Sequence, residues 1–197
     1  MRRILVTGGA GSLGTHLIPR LLASHPEAVI ESMDCDENRS AMLRRECQSP
    51  RLLVRVGDVR WSPLHEDTDL IYHLAARKHV QFGDDADARE VNVDATRRLL
   101  ATGIPMVFAS TDKAADPALA YGRDKRDAED SVVAAGGWAL RMCNLWMSNG
   151  SLPAMVADEV RRGATRVRAP RGIVRHYMAL GHAAMLLESV AGLAAGR

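Results

Sequence analysis

The chain predicts an α/β fold, a doubly wound parallel sheet with helices on both faces. Three observations carry this. Short apolar runs alternate with helical patterns, and no tandem hairpins interrupt them. The first run passes straight into Gly8-Gly-Ala-Gly-Ser-Leu-Gly14 and then into a helix. The second run ends on an acid, Asp34, about twenty residues further on.

Arg3 to Thr7 reads as the first strand. Gly8, Gly11 and Gly14 follow with the spacing GxxGxxG and enclose Ser12 and Leu13. Small residues there let the backbone approach a pyrophosphate, and the helix N-terminus stabilises its charge. Leu13, Leu17, Ile18, Leu21 and Leu22 give that helix its apolar stripe. The second strand, Ala28 to Met33, delivers Asp34 to the position where a carboxylate accepts from both adenosine ribose hydroxyls and repels a 2′-phosphate. NAD is therefore favoured over NADP. Arg39 lies close enough in sequence to meet a phosphate, and the plainer reading of both residues is a solvated loop charge.

Residues 38 to 48 read as a short charged helix and Leu52 to Val56 as a third strand, closing on Gly57-Asp-Val-Arg60. Asp58, with Val59, is expected beside the adenine, where the acid accepts from the exocyclic amine; a turn or capping aspartate is the alternative. A fourth strand, Asp69 to Leu74, leads into Ala75 and Ala76. Small residues at 75 and 76 let the backbone lie along a cofactor, with Arg77, Lys78 and His79 reaching toward substrate or water. Asp84 to Leu100 is a helix whose inward stripe, Ala88, Val91, Ala95 and Leu99, includes Asn92. A buried asparagine must find partners, and Asn92 is placed with the cofactor-binding residues, either tying down the active-site strand or satisfying a neighbouring backbone group.

Pro105 to Ala109 reads as the fifth strand, and the chemistry is expected in Ser110 to Lys125. Thr111, Asp112 and Lys113 bring a hydroxyl, an acid and a base to the strand's carboxyl end, where open parallel sheets hold their ligands. Tyr121 and Lys125 stand four residues apart on a helix running to about Ala135, hence on one face. An ammonium close to a phenol favours the phenolate, a base for a substrate hydroxyl. Trp138 to Met142 is the sixth strand and completes a dinucleotide-binding domain of residues 1–143.

Residues 144–197 read as a small appendage, not an independent domain. It comprises a loop over the cofactor from Asn144 to Leu152, a helix from Pro153 to Arg162, a strand at Thr165 to Val167 and a final helix from Met178 to Leu193. Six arginines fall between Arg161 and Arg175. A solvated face is the plain reading, a phosphate-bearing substrate the sharper one, and nucleic acid a distant third without interleaved aromatics.

Composition narrows the class. The 197 residues are 47% hydrophobic and 25% charged, with a formal net charge of +2. This calls for neither nucleic acid nor membrane as partner. Cys35, Cys47 and Cys143 form no CxxC or His-rich pattern, so neither a disulfide framework nor a metal site is expected. No apolar run reaches the length of about 18 residues that a membrane span needs, and a cytoplasmic location is expected.

With these residues in view, the chain resembles the extended short-chain dehydrogenase/reductases, which have a Rossmann fold. Within them it is most similar to the polysaccharide-biosynthesis branch, the inverting UDP-N-acetylglucosamine 4,6-dehydratases. The matching elements are Thr7 to Gly14, Gly57-Asp-Val-Arg60, Ala75-Ala-Arg-Lys-His-Val80, Ser110-Thr-Asp-Lys-Ala114, Tyr121-Gly-x-x-Lys125, Asn144 with Gly150-Ser151, and Arg175-His-Tyr-Met178. The Thr-Asp-Lys-Ala element marks this branch.

The resemblance implies a closed redox cycle. Tyr121, assisted by Lys125, takes the sugar 4-hydroxyl proton while Thr111 orients that hydroxyl. Lys113 then removes the C5 proton, Asp112 protonates the departing 6-hydroxyl, and hydride returns to C6. Lys78, His79, Asn144 and Arg175 are expected at the substrate, and a homodimer is implied. The chain stops soon after the Arg175 element, so the family's later substrate lobe is reduced. A nucleotide sugar, or a related phosphorylated sugar or nucleoside, is the expected substrate class. An epimerase or simple dehydrogenase using Tyr121 and Lys125 is the alternative enzyme, and a non-catalytic dinucleotide-binding module the alternative of another class.

Overall fold

The structure is a computed structural model that describes residues 2–78, 85–168, 172 and 174–194. Six parallel strands form one sheet: β1 (Arg2–Thr7), β2 (Ala28–Asp34), β3 (Leu52–Val56), β4 (Thr68–His73), β5 (Met106–Thr111) and β6 (Trp138–Met142). Their spatial order is β3-β2-β1-β4-β5-β6. The chain winds outward from β1 through α1 (Gly14–Ser24) to β2, and through α2 (Glu37–Glu46) to β3. It then returns to the other side of β1 as β4. The order thus reverses between β1 and β4, and such a switch point opens a crevice at the strands' carboxyl ends.

Alternation along β1 shows why the sheet is covered twice. Ile4 and Val6 point into one core with Leu17, Ile18 and Leu21 of α1, whereas Leu5 points into the other with Ile71, Phe108 and Leu99. Successive strand side chains face opposite ways, so both sets of apolar residues need a helical layer. The second layer contains α3 (Asp85–Arg89), a wide π-turn at Glu90–Asp94, α4 (Ala95–Leu100) and α5 (Ala120–Ala134). The helix expected over Asp84 to Leu100 is therefore interrupted by one π-turn that holds Asn92 inward.

The last part of the chain has two roles. Ala183, Ala184 and Leu187 of α7 (Leu180–Ala194) are fully buried in the first core, and Glu188 accepts from Arg20 Nε of α1 at 2.7 Å. In contrast, α6 (Leu152–Arg161) buries no side chain, although Ser151 caps its start by accepting from Ala154 N–H. The strand expected at Thr165 to Val167 does not form. That arginine-flanked segment pairs with no strand among the described residues, while β7 (Asn144–Leu145) and β8 (Tyr177–Met178) pair in parallel. Part of the expected loop over the cofactor is thus one strand of a small arch. Among the described residues no helix is long and apolar enough to cross a membrane.

Candidate active site

A cleft of about 840 Å³ opens at the switch point. Its floor is built from backbone. Gly8 adopts φ +68°, and a Cβ there would lie 2.8 Å from the Ala75 nitrogen, so the turn after β1 can rest on the segment after β4 only with glycine at this position. Gly11, Ser12 and Leu13 line the cleft, with Leu74 and Ala76 opposite them. Gly14 is buried in the first turn of α1. A turn this close to the opposing backbone, leading into a helix of 11 residues, fits the pyrophosphate of a dinucleotide. Ser12 has a second use. Its Oγ accepts the Asn149 N–H at 2.9 Å, tethering the segment after β7 across the glycine turn.

Asp34 is held at the rim of this turn. Its Oδ2 accepts from Ala10 N–H at 3.1 Å and its Oδ1 from Asp36 N–H at 3.0 Å. Arg39 lines the cleft, with Nε 3.3 Å from Asp36 Oδ2. Asp58 and Val59 stand off the cleft wall. Val59 packs in the second core, and the Arg60 guanidinium donates to Asp58 at 2.7 Å, holding its carboxyl below the ordinary range. Arg60 also reaches Asp87 at 2.6 Å, so Asp58 is held in an ion-pair network.

Of the expected catalytic set, Thr111, Lys113, Tyr121 and Lys125 line the far wall, and Asp112 stands behind it, joined through Lys113. Thr111 ends β5 and donates to Asp112 Oδ1 at 3.0 Å; Lys113 Nζ donates to the same oxygen at 3.0 Å. Burial pushes the Asp112 carboxyl up, but the bonds from Lys113 and Thr111 outweigh it and leave it below the ordinary range. Burial, then the charge of Lys113, lowers the pKa of Lys78 on the same cleft. Tyr121 and Lys125 enter from the first turns of α5. A Cβ at Gly122 would meet the Lys113 carbonyl at 2.7 Å, so glycine after the tyrosine brings this helix against the 112–114 turn.

The electrostatics of this pair differ from the expectation. Burial, reinforced by Asp112, pushes the Tyr121 phenol up to about 12, and Lys125 does not lower it. Burial pushes Lys125 itself down to about 7, against the opposing pull of Glu129. The reason is geometric: the Lys125 ammonium lies 3.9 Å from the centre of the Phe108 ring, and no hydrogen bond joins it to the phenol.

Asn92, expected at the cofactor, is 2% exposed and uses its amide on a backbone. Oδ1 accepts from Arg77 N–H at 2.8 Å and Nδ2 donates to Arg77 O at 3.0 Å. It thus fixes the lip that carries Ala76 and Lys78. Asn144 and Arg175 both line the cleft, and Arg175 has no ion-pair partner among the described residues. Arg161 and Arg162 pair along α6 with Asp158 and Glu159, as a solvated face does. His79 and Arg171 lie outside the described residues.

Two supports escaped the sequence reading. Behind Lys125, Glu129 accepts from Ser110 Oγ at 2.6 Å and from Arg141 Nη2 at 2.6 Å. Its place one turn after Lys125 was the available signal. Beneath the floor, Thr7 Oγ1 lies 2.6 Å from His73 Nδ1 and Thr96 Oγ1 lies 2.9 Å from His73 Nε2. Thr96 donates to Asn92 O, so the histidine Nε2 carries the proton and Nδ1 accepts from Thr7. Burial pushes His73 down to about 3, which keeps it neutral.

Comparison with known proteins adds ancestry to this geometry. A family model described as polysaccharide biosynthesis protein matches residues 4–197. An uncharacterized membrane protein of Methanocaldococcus jannaschii is 27% identical over 99% of this chain and 64% of its own length. A UDP-glucose 4-epimerase of Rickettsia akari is 26% identical, covering 91% of this chain and 59% of its own length. The inverting UDP-N-acetylglucosamine 4,6-dehydratase of Campylobacter jejuni is 29% identical over 70% of this chain and 45% of its own. Among solved structures, Pen from Bacillus thuringiensis superposes with a TM-score of 0.85 at 23% identity, covering 97% of this chain and 65% of that one. UDP-glucuronic acid 4-epimerase from Bacillus cereus, solved in complex with NAD, superposes with a TM-score of 0.83 at 19% identity, covering 97% and 72%. The chain therefore spans less than two thirds of the length of these curated relatives.

Proposed function

The chain belongs to the polysaccharide biosynthesis protein family, and from that premise we propose that it is an NAD-dependent dehydratase of a nucleotide sugar or a related phosphorylated sugar or nucleoside. Gly8, Gly11, Ser12, Leu13 and Gly14 would hold the pyrophosphate, Asp34 the ribose, and Leu74, Ala75 and Ala76 the flank of the dinucleotide. A nicotinamide held there would supply hydride exchange with a substrate carbon. Tyr121 would take the proton of the sugar hydroxyl that Thr111 orients once the positive charge of an oxidised nicotinamide favours its phenolate, leaving a ketone. That ketone acidifies the neighbouring C–H, Lys113 removes the proton, and Asp112 protonates the departing hydroxyl. Lys78 and Arg175 face the phosphates.

The observation that carries this reading is the Lys113–Asp112 contact of 3.0 Å, whose lysine lines the cleft together with Tyr121. At rest the bonds from Lys113 and Thr111 favour the ionised form of Asp112. One transfer along that contact breaks an N–H bond and forms an O–H bond, so a neutral amine and a protonated acid arise together. These are the base and acid that elimination needs, reached without a change in net charge.

The test is incubation with NAD and UDP-N-acetylglucosamine, followed by mass spectrometry for loss of water. Product is expected from the unsubstituted protein and from neither Lys113→Ala nor Tyr121→Phe. Elimination that persists undiminished in Lys113→Ala would sink the reading. The resemblance to the Rickettsia epimerase favours a second reading, in which Asp112 and Lys113 are only an ion pair and the product is a C4 epimer with no water lost.

Finer features belong to the same proposal. Asp34 supports NAD over NADP, which calorimetry with each dinucleotide tests. A homodimer through α4 and α5 is tested by sedimentation, and a cytoplasmic location by fractionation.

A further inference from the structure

Asn144 was expected to bind substrate, yet both ends of its amide are occupied within the protein. Nδ2 donates to the His176 carbonyl at 3.0 Å, and the Asn144 backbone N–H donates to the same oxygen at 3.2 Å. A carbonyl only accepts, so the NH2 end must face His176 and Oδ1 must face the other way. There Oδ1 accepts from Lys113 Nζ at 3.2 Å. Lys113 is 39% exposed on a flexible four-carbon stem, and its two anchors are Asp112 on one side and Asn144 on the other. His176 directly follows Arg175, whose guanidinium lines the same cleft and has no ion-pair partner among the described residues.

Resting on the dehydratase reading above, we infer that Asn144 is a positioning residue that couples the β7–β8 arch to Lys113. A substrate phosphate seated on Arg175 settles the arch, the His176 carbonyl orients the Asn144 amide, and Oδ1 holds Lys113 Nζ against Asp112. The proton then passes from nitrogen to the carboxylate, and the neutral amine faces the C–H next to the ketone. Asn144 exchanges no proton and touches no reacting atom. Its effect therefore falls on elimination and not on the earlier oxidation.

The two steps can be read separately with NAD and UDP-N-acetylglucosamine. Single-turnover reduction of the cofactor, followed by absorbance, reports the first. Deuterium taken up from heavy water at the carbon beside the ketone reports the second. In Asn144→Ala we expect deuterium uptake to fall by about tenfold to a hundredfold, the cost of a misplaced base, with the rate of cofactor reduction and KM unchanged. Asn144→Asp, isosteric and least disturbing to folding, sets an anion on Nζ that retains its proton, and it too is expected to slow uptake alone. Dinucleotide affinity by calorimetry verifies that each variant is folded. Unchanged uptake in both variants, or an equal slowing of both steps, overturns the role of Asn144 and leaves the dehydratase reading standing. Absence of cofactor reduction in the unsubstituted protein overturns that reading, and this inference with it.

Discussion

The Lys125 ammonium stands 3.9 Å from the centre of the Phe108 ring, on a side chain that is 2% exposed. A buried cation against a ring face recovers only part of its lost hydration. Its pKa of about 7, below the ordinary 10.5, expresses that deficit.

The first prediction follows by linkage. Between pH 7 and 10.5 the unfolded chain holds the Lys125 proton more tightly than the folded one, so stability rises with pH across this window. Below it the penalty is fully present. Lys125→Met is expected to raise the unfolding free energy by about 1–2 kcal/mol near pH 6, with the gain vanishing above pH 10.5, where the lysine is neutral in both states. Urea denaturation at three pH values checks this, and the same variant should lose activity.

A second prediction concerns the carboxylate one turn further along α5. Glu129 opposes the downward shift of Lys125. Glu129→Gln should move the Lys125 titration still lower, as followed by NMR of the labelled lysine. Hydrogen bonds from Arg141 and Ser110 outweigh burial and hold Glu129 below the ordinary range. The stability it contributes is therefore present at neutral pH and lost as pH falls through its folded-state value, a loss the variant should not show.

Third, Gly122→Ala tests the approach of α5 to the 112–114 turn. The added carbon would meet the Lys113 carbonyl at 2.7 Å, so helix and turn must separate. Cofactor reduction should drop by about a hundredfold while the circular dichroism spectrum is preserved. A fully active alanine variant would show that this approach does not set the geometry of Tyr121.

Fourth, Asn92→Ala leaves the Arg77 N–H and C=O without their present partners. The expected cost is about 2–3 kcal/mol of stability, read by urea denaturation. Weaker dinucleotide binding should accompany it, because the freed lip carries Ala76.

The strands were legible because each is a short, largely apolar run: the four inner ones are mostly buried, and the half-buried edge strands Leu52–Val56 and Trp138–Met142 still matched residue for residue. The glycine turn and the Thr111-to-Lys125 stretch were legible because their chemistry is local in sequence. The π-turn at Asn92 was not, since one extra residue in a turn barely alters a 3.6-residue periodicity. Thr165 to Val167 carries β-forming residues, but a strand exists only where an edge receives it, and the edge at Asn144 received Tyr177 instead. The titration of Tyr121 and Lys125 depends on dryness and on the direction of a side chain, neither of which the spacing of two letters encodes.

Where Gly8 meets Ala75, main chain rests on main chain, so the base of the crevice presents almost nothing that mutation can reshape without breaking the sheet. Novelty in such a protein has to arise along the sides, from the segments after β5 and β6. The ground under the reaction stays fixed while the tools above it are free to change.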